Sequence, residues 1–434
     1  MQTNTLWLVS MIRDARIRTL ELIRDLNDDQ LIGPKLNTVN PLRWEIGHVA
    51  YFYEFFVLRA HLKRDSLLGD LADQIYDSIA ISHSDRWDLP LLGMDATLRY
   101  MAETKEAVIG AIEQEHLDEK AYFMAQFGVF HEDMHTEAFF WTRQTLSYPT
   151  PNLKSSIGRA SVGYPGAHPG YVNIKGGYFE IGASKDAPFS FDNERGNHFV
   201  DIQPFSIAKA PVTNAEFADF VDSGGYQDNR FWTTRGIHWR DQRRLMHPGY
   251  WRKNNFYGWE VRQFDKIIPL ADNEPVIHIS WYEANAYALW AEARLPSEAE
   301  WEVAALGIPT TNGSLSPNKR RYPWGDSMNE GNHANLDGFS MGPVDVAAFA
   351  AGDSAFGCRQ MLGNVWEWCS DTFGPYPAFK ADSYQEYSQS LFGKTKVLRG
   401  GAWTTRSRML HGTYRNYFEP ERWDIFSGFR LCKS

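Results

Sequence analysis

FHEDMHTEAFFWTRQTLSYPTPN, residues 130–152, holds a helix and its end in one stretch. Up to Leu146 it contains neither glycine nor proline, and the helical pattern extends back to about residue 120. Tyr148-Pro149-Thr150-Pro151 then ends it, because proline offers no N–H and biases the residue before it away from helical geometry. YPGAHPG, 164–170, continues the break. At 434 residues the chain exceeds what one hydrophobic core usually serves. We read a helical domain over 1–148, a linker over 149–170 and a second domain over 171–434.

Upstream of that stretch, Trp7, Met11, Ile12, Ala15 and Thr19 follow a 3.6-residue period, as do His48, Phe52, Phe55, Phe56 and Arg59. Asn40-Pro41 suits a helix-opening turn before the second set. With further helices at about 95–117 and 120–146, the pattern predicts an up-down four-helix bundle. Downstream, short strand-like runs (YVNIKGGYFEIG from 171, HFVDIQPFSIAKAPVT from 198), helical patterns at 213–222 and 281–292, and many glycine turns predict an irregular α+β domain.

A net charge of −10, with no Lys/Arg run longer than three residues, argues against nucleic acid or an anionic membrane as the partner, and favours a small molecule. No apolar run reaches membrane-span length, and the N-terminus meets charge before a signal-like core forms, so a cytoplasmic location is expected. Cys358, Cys369 and Cys432 make neither a disulfide framework nor a C-x-x-C site.

The chemistry is concentrated in HEDMHTE. His131 and His135 are four apart, which on a helix places both imidazoles on one face a turn apart, a chelating spacing. His48 in GHVAYFYEFF is the third candidate, since antiparallel bundle packing can bring it opposite the pair. Zinc metalloproteases share the H-E-x-x-H spacing, so zinc hydrolysis stays open on spacing alone; the setting, a bundle helix ahead of a large aromatic domain, favours another use. Three imidazoles leave coordination positions open, which suits an Fe(II) that must accept both substrate and O₂, although zinc is also permissible. Glu54 and Glu137 are candidate acceptors for the histidine N–H groups, the alternative being a solvated helix face.

GHVAYFYEFFVLR (47–59) and FHEDMHTEAFFWTRQTL (130–146) resemble the DinB-like helical domain of ergothioneine-type sulfoxide synthases. PVIHISWYEANAYALWAEARLPSEAEWEVAA (275–305), RYPWGD (321–326), GNVWEWCSD (363–371), VLRGGAW (397–403) and FSGFRL (426–431) resemble the formylglycine-generating-enzyme fold, an elaborated C-type-lectin-like domain that completes those proteins. Formylglycine-generating enzymes place copper-binding cysteines after the GGAW-type motif; AWTTRSRMLHGTYRNYF (402–418) has none, which argues against their thiol-dependent chemistry. The resemblance implies Fe(II) held by His48, His131 and His135. It also implies hercynine, a trimethylated histidine, as substrate, with O₂ driving bond formation between a sulfur donor and the imidazole ring.

The resemblance further implies Tyr384 in SYQEYS as a proton donor, and Tyr387 as part of an aromatic wall for the trimethylammonium group. Both rings could instead simply pack on the fold. In YRNYF, Asn416 matches the asparagine that meets the hercynine carboxylate, but Tyr417-Phe418 stands where Trp-Asp is usual. Phe418 thus removes the carboxylate that would pair with the amino group of a γ-glutamylcysteine donor, and Met134 stands where a glutamine is common. NPLRWEIGHVAYF (40–52), SHSDRWDLPL (82–91) and the histidine helix resemble the selenoneine synthase branch, which joins a selenosugar to hercynine. Arg86 and Asp88 are then candidate contacts to a sugar-bearing donor, a linker salt bridge being the alternative. The expectation is a non-haem iron enzyme forming a C–Se or C–S bond on hercynine, with a selenosugar preferred over a thiol donor. The alternatives are an ergothioneine-pathway sulfoxide synthase using cysteine or γ-glutamylcysteine, and a non-catalytic lectin-like binding module.

Overall fold

The computed structural model describes all residues except 1, 115–116, 155–162, 257, 328–330 and 434. The chain divides into two compact units, Met1–Ile157 and Gly158–Ser434. Of the linker expected over 149–170, residues 155–162 lie outside the described residues.

The first unit is helical: α1 (Gln2–Ile23), α2 (Asp28–Ile32), α3 (Leu42–Tyr53), α4 (Leu71–Tyr76), α5 (Met94–Gln114) and α6 (Glu119–Thr145). Pro41 caps α3, where its missing N–H costs nothing, and Asp118 caps α6 by accepting from the Ala121 N–H at 2.7 Å. α3 does not stop at Tyr53 but widens into a π-helical turn, Glu54–Arg59. α1 and α3 each pack on both α5 and α6, which makes the four long helices a bundle. Leu8, Ile12, Ala15, Thr19 and Leu22 form the buried stripe of α1; Trp7, expected within it, lies at its edge and is 44% exposed.

Two glycines let the helices and loops come close. A Cβ on Gly128 of α6 would stand 2.5 Å from the Tyr53 ring of α3, and a Cβ on Gly47 of α3 would run into the Tyr76 ring. Tyr76 in turn stacks parallel to Tyr100 of α5, with centroids 5.9 Å apart.

The second unit is the expected α+β fold, with helices Asn214–Asp222, Thr234–Arg243, Trp281–Trp290 and Glu298–Leu306 set among short sheets. Its largest sheet runs in the order Asn416–Phe418, Lys396–Arg399, Trp366–Thr372, Ser427–Gly428, with Leu398 opposite Asn416. The core beneath holds several buried arginines, each paired with a glutamate. Arg399 bonds Glu298 (2.8 Å) and Glu302 (2.9 Å), Arg415 bonds Glu298 (2.7 Å), and Arg430 bonds Glu367 (2.6 Å), which also accepts from Trp301 Nε1 (2.9 Å). Unmatched buried charges would cost several kcal/mol each, so these pairs fix the order of the motifs that carry them. The three cysteines are buried and free, and among the described residues no helix is long and apolar enough to cross a membrane.

The close approach at Gly128 gives a signed expectation. Gly128→Ala destabilises the protein by about 1–3 kcal/mol through overpacking against Tyr53. Gly110→Ala on α5, where an added Cβ meets nothing within 4 Å, stabilises it by up to about 1 kcal/mol. Urea unfolding of both variants measures the contrast, and equal signs would show that Tyr53 yields freely.

Candidate metal centre

His131 and His135 project from one face of α6, and the packing of α3 on α6 brings His48 to them. Ring centroids are 5.0 Å apart for His48–His131, 5.1 Å for His48–His135 and 4.6 Å for His131–His135. One potential ligand atom from each lies within 4.8 Å of the others. Among the described residues no other group of three His, Cys, Asp or Glu side chains is placed in this way.

The rings are held from behind. His48 Nδ1 lies 2.8 Å from the Tyr76 carbonyl, which can only accept, so this nitrogen carries the proton and Nε2 is left with its lone pair. Trp44, one turn earlier on α3, stacks on the His48 ring (4.6 Å, 11°) and donates from Nε1 to the Ile75 carbonyl at 2.7 Å. His135 Nδ1 meets Glu45 Oε1 at 3.2 Å, and Asn40 Nδ2 donates to the same oxygen at 3.0 Å. Phe52 stacks on His131 (4.2 Å, 21°). Burial, reinforced by the neighbouring His135, holds the His48 pKa well below its usual value. Burial, then His135 and His48, does the same for His131. Both therefore stay neutral, the protonation state in which imidazole binds a metal.

Glu132, the glutamate of the H-E-x-x-H spacing, faces away from this cluster. It is fully buried against α1, paired with Arg16 Nε (2.8 Å) and bonded by Thr19 Oγ1 (2.8 Å). A zinc protease needs that carboxylate beside the metal as general base, so the geometry disfavours that use. Glu54 is not a histidine acceptor in the described hydrogen bonds: it lies under the π-helical turn, bonded by the Tyr100 hydroxyl and by Ser66 Oγ (2.5 Å). Glu137 is buried on α6. The acceptors actually facing the imidazoles are Glu45 and the Tyr76 carbonyl, which the sequence reading missed. Glu45 was legible in principle, three residues before His48 on the same helix face; the backbone carbonyl of Tyr76, at the end of α4, leaves no sequence signal.

Met134 precedes His135 on α6 and is part-exposed. Arg86 places its guanidinium 3.9 Å over the Trp44 ring and donates to Asn40 Oδ1 at 2.7 Å, while Asp88 makes an exposed ion pair with Lys35 at 3.1 Å. Tyr384, Tyr387, Asn416, Tyr417 and Phe418 all belong to the second unit. Tyr387 packs on Phe191 (4.7 Å) and near Tyr417 (6.0 Å), and its hydroxyl donates to that of Tyr414 at 3.4 Å. Tyr384 is part-exposed at the start of the short 3-10 turn Gln385–Tyr387. On the strand Asn416–Phe418 the side chains alternate: Tyr417 is buried, stacked on Phe373 at 3.9 Å, whereas Asn416 and Phe418 share the other, part-exposed face. Arg422 lies 5.1 Å over the Phe418 ring and is itself paired with Asp424 at 2.7 Å.

Comparison with known proteins agrees with this two-part plan. Residues 162–434 match the family model of the sulfatase-modifying factor enzyme 1-like domain, and residues 11–139 match that of the DinB superfamily. The chain is 38% identical to a hercynine oxygenase of Mycolicibacterium thermoresistibile, over 98% of this chain and 94% of that protein. It is 37% identical to one of Mycobacterium tuberculosis, over 96% of each. A formylglycine-generating enzyme of Streptomyces coelicolor is 32% identical over 63% of this chain, covering 88% of its own length.

The depressed histidine pKa values have a consequence for stability. Above about pH 6.5 both folded and unfolded chains hold these rings neutral; below it only the unfolded chain takes up protons. Their contribution is thus complete above that pH and is lost as pH falls toward the folded-state values. In metal-free protein, His131→Gln should lessen the fall of unfolding free energy between about pH 6.5 and 5 by up to about 1.4 kcal/mol per pH unit. Urea titrations across that range measure it, and identical slopes would show that His131 titrates alike in both states.

Proposed function

Because this chain belongs to the hercynine oxygenase family, we propose that it is an iron-dependent oxidoreductase that uses O₂ to form a carbon–selenium or carbon–sulfur bond on the imidazole of hercynine. The carrying observation is the meeting of His48, His131 and His135 within one cluster. The donor set fits the metal: three nitrogen ligands, with no thiolate or carboxylate among them, leave coordination positions open. His48, His131 and His135 would hold Fe(II), which supplies the redox chemistry of the O₂-dependent step when bound.

The remaining groups bind and position. Asn416 Oδ1 accepts from the Tyr417 N–H at 2.8 Å, which leaves the amide NH₂ to donate to the hercynine carboxylate. The Tyr387 ring offers a face to the trimethylammonium group, and the Tyr384 hydroxyl supplies a proton during turnover. A selenosugar is the preferred donor. Phe418 presents no carboxylate to an amino group, its neighbour Arg422 is already neutralised by Asp424, and Met134 adds no charge. A γ-glutamyl donor would have to shed water from charged groups without a partner, whereas sugar hydroxyls are satisfied by neutral groups.

Anaerobic loading with Fe(II) and hercynine, followed by O₂ and competing donors, tests the reading by mass analysis of the product. Expected are about one iron per chain, O₂ uptake that requires hercynine, and loss of iron on replacing any of the three histidines by Ala. Metal-free protein that binds ligand without turnover would favour a non-catalytic module. The selenosugar should exceed γ-glutamylcysteine at least about tenfold in kcat/KM, equivalent to roughly 1.4 kcal/mol; comparable efficiencies would overturn the donor assignment. Tyr384→Phe lowers kcat while hercynine Kd stays nearly unchanged, and an unaltered rate would assign proton supply elsewhere.

A further inference from the structure

Arg86 stands outside the histidine cluster yet meets it along two routes. Its planar cation covers the Trp44 ring at 3.9 Å, and Trp44 stacks on His48 at 4.6 Å. Separately, Arg86 Nη1 donates to Asn40 Oδ1 (2.7 Å), Asn40 Nδ2 donates to Glu45 Oε1 (3.0 Å), and the same oxygen faces His135 Nδ1 (3.2 Å).

The second route has a direction. A guanidinium only donates, so the Asn40 amide must turn its oxygen toward Arg86 and its NH₂ toward Glu45. Glu45 Oε1 already accepts from Asn40 and meets His135 Nδ1 as an acceptor too, so the proton of that contact sits on Nδ1 and Nε2 is the nitrogen left for a ligand. An asparagine free to rotate could present its oxygen to Glu45 instead, and two acceptors would then repel. The first route is one of shape: the cation packs on the Trp44 ring that in turn stacks on His48, whose Nδ1 is fixed by the Tyr76 carbonyl.

We propose that Arg86 is a positioning residue of the metal centre, fixing the ring orientation of His48 through Trp44 and the protonated nitrogen of His135 through Asn40 and Glu45. This differs from a contact to the donor substrate, and it rests on the reading of the three histidines as metal ligands. Both arms lie within the first unit and converge on two different ligands. Loss of Arg86 should therefore loosen two of the three imidazoles at once.

Cobalt(II) titration of the full-length metal-free protein tests this without any turnover. Arg86→Ala should weaken Co(II) binding about tenfold, in the range found for residues that orient metal ligands, and shift the visible d–d absorption of the complex. Asn40→Ala should weaken it as well, and the double variant should lose less than the sum of the two losses, because both act on His135 along one route. Arg86→Lys keeps the charge and a donor for Asn40 but lacks the flat face for Trp44, so it should fall between parent and Arg86→Ala; it carries the test if the alanine variant does not fold. Binding within twofold of the parent and an unchanged spectrum in Arg86→Ala, or in Arg86→Lys if that variant stands in, would overturn the proposal, above all if only the donor KM moved. His135→Ala is the control on the underlying reading: full Co(II) binding there would refute the cluster as the metal site, and the role of Arg86 with it.

Discussion

The first unit depends on how closely α3 can lie on α6. Tyr53 rests on the bare backbone of Gly128, and that contact sets the separation at which Phe52 stacks on His131 and His48 reaches the pair on α6. The histidines cannot enforce this geometry themselves, because bringing three imidazoles together without a metal gains little and removes them from water. Aromatic packing along the same helices supplies the stabilisation, with Phe52 also stacked on Phe127 at 5.5 Å. The scaffold is thus formed by apolar contacts, and the polar cluster is carried into place by it.

Burial then sets the chemistry of what is carried. A carboxylate among the three rings would favour their protonated forms, and the nearest in sequence, Glu132, is turned the other way and matched to Arg16. Glu54 is likewise occupied by hydroxyl donors beneath the π-helical turn. Among the described hydrogen bonds, Glu45 is the carboxylate that meets the cluster, at His135 Nδ1, where it orients that ring. The result is a nitrogen triad in which burial keeps His48 and His131 neutral and hydrogen bonds anchor Nδ1 of His48 and of His135. The second unit solves a similar problem differently: its arginines and glutamates are buried in matched groups around Glu298, Glu302 and Glu367, and those groups tie together the strand and helix that carry Asn416 and the Trp-rich motifs.

Some of this was fixed by local rules and was legible in the residue order. The spacing of His131 and His135 places them on one face of any helix, and Pro149 and Pro151 end that helix whatever surrounds it. The absence of cysteine from residues 402–418, just after the GGAW-type motif, argues against thiolate chemistry there without coordinates, and the order of the motifs identified both halves of the chain. The rest required the folded chain. Whether His48 reaches the pair depends on a helix crossing set by Gly128 and Tyr53. The direction of Glu132 depends on Arg16, distant in sequence by 116 residues, and Arg86 is carried to Trp44 and Asn40 on a short 3-10 turn, His83–Trp87, that no periodicity marks. Local sequence determines which face a residue occupies along its own helix, but only packing between helices decides what that face meets.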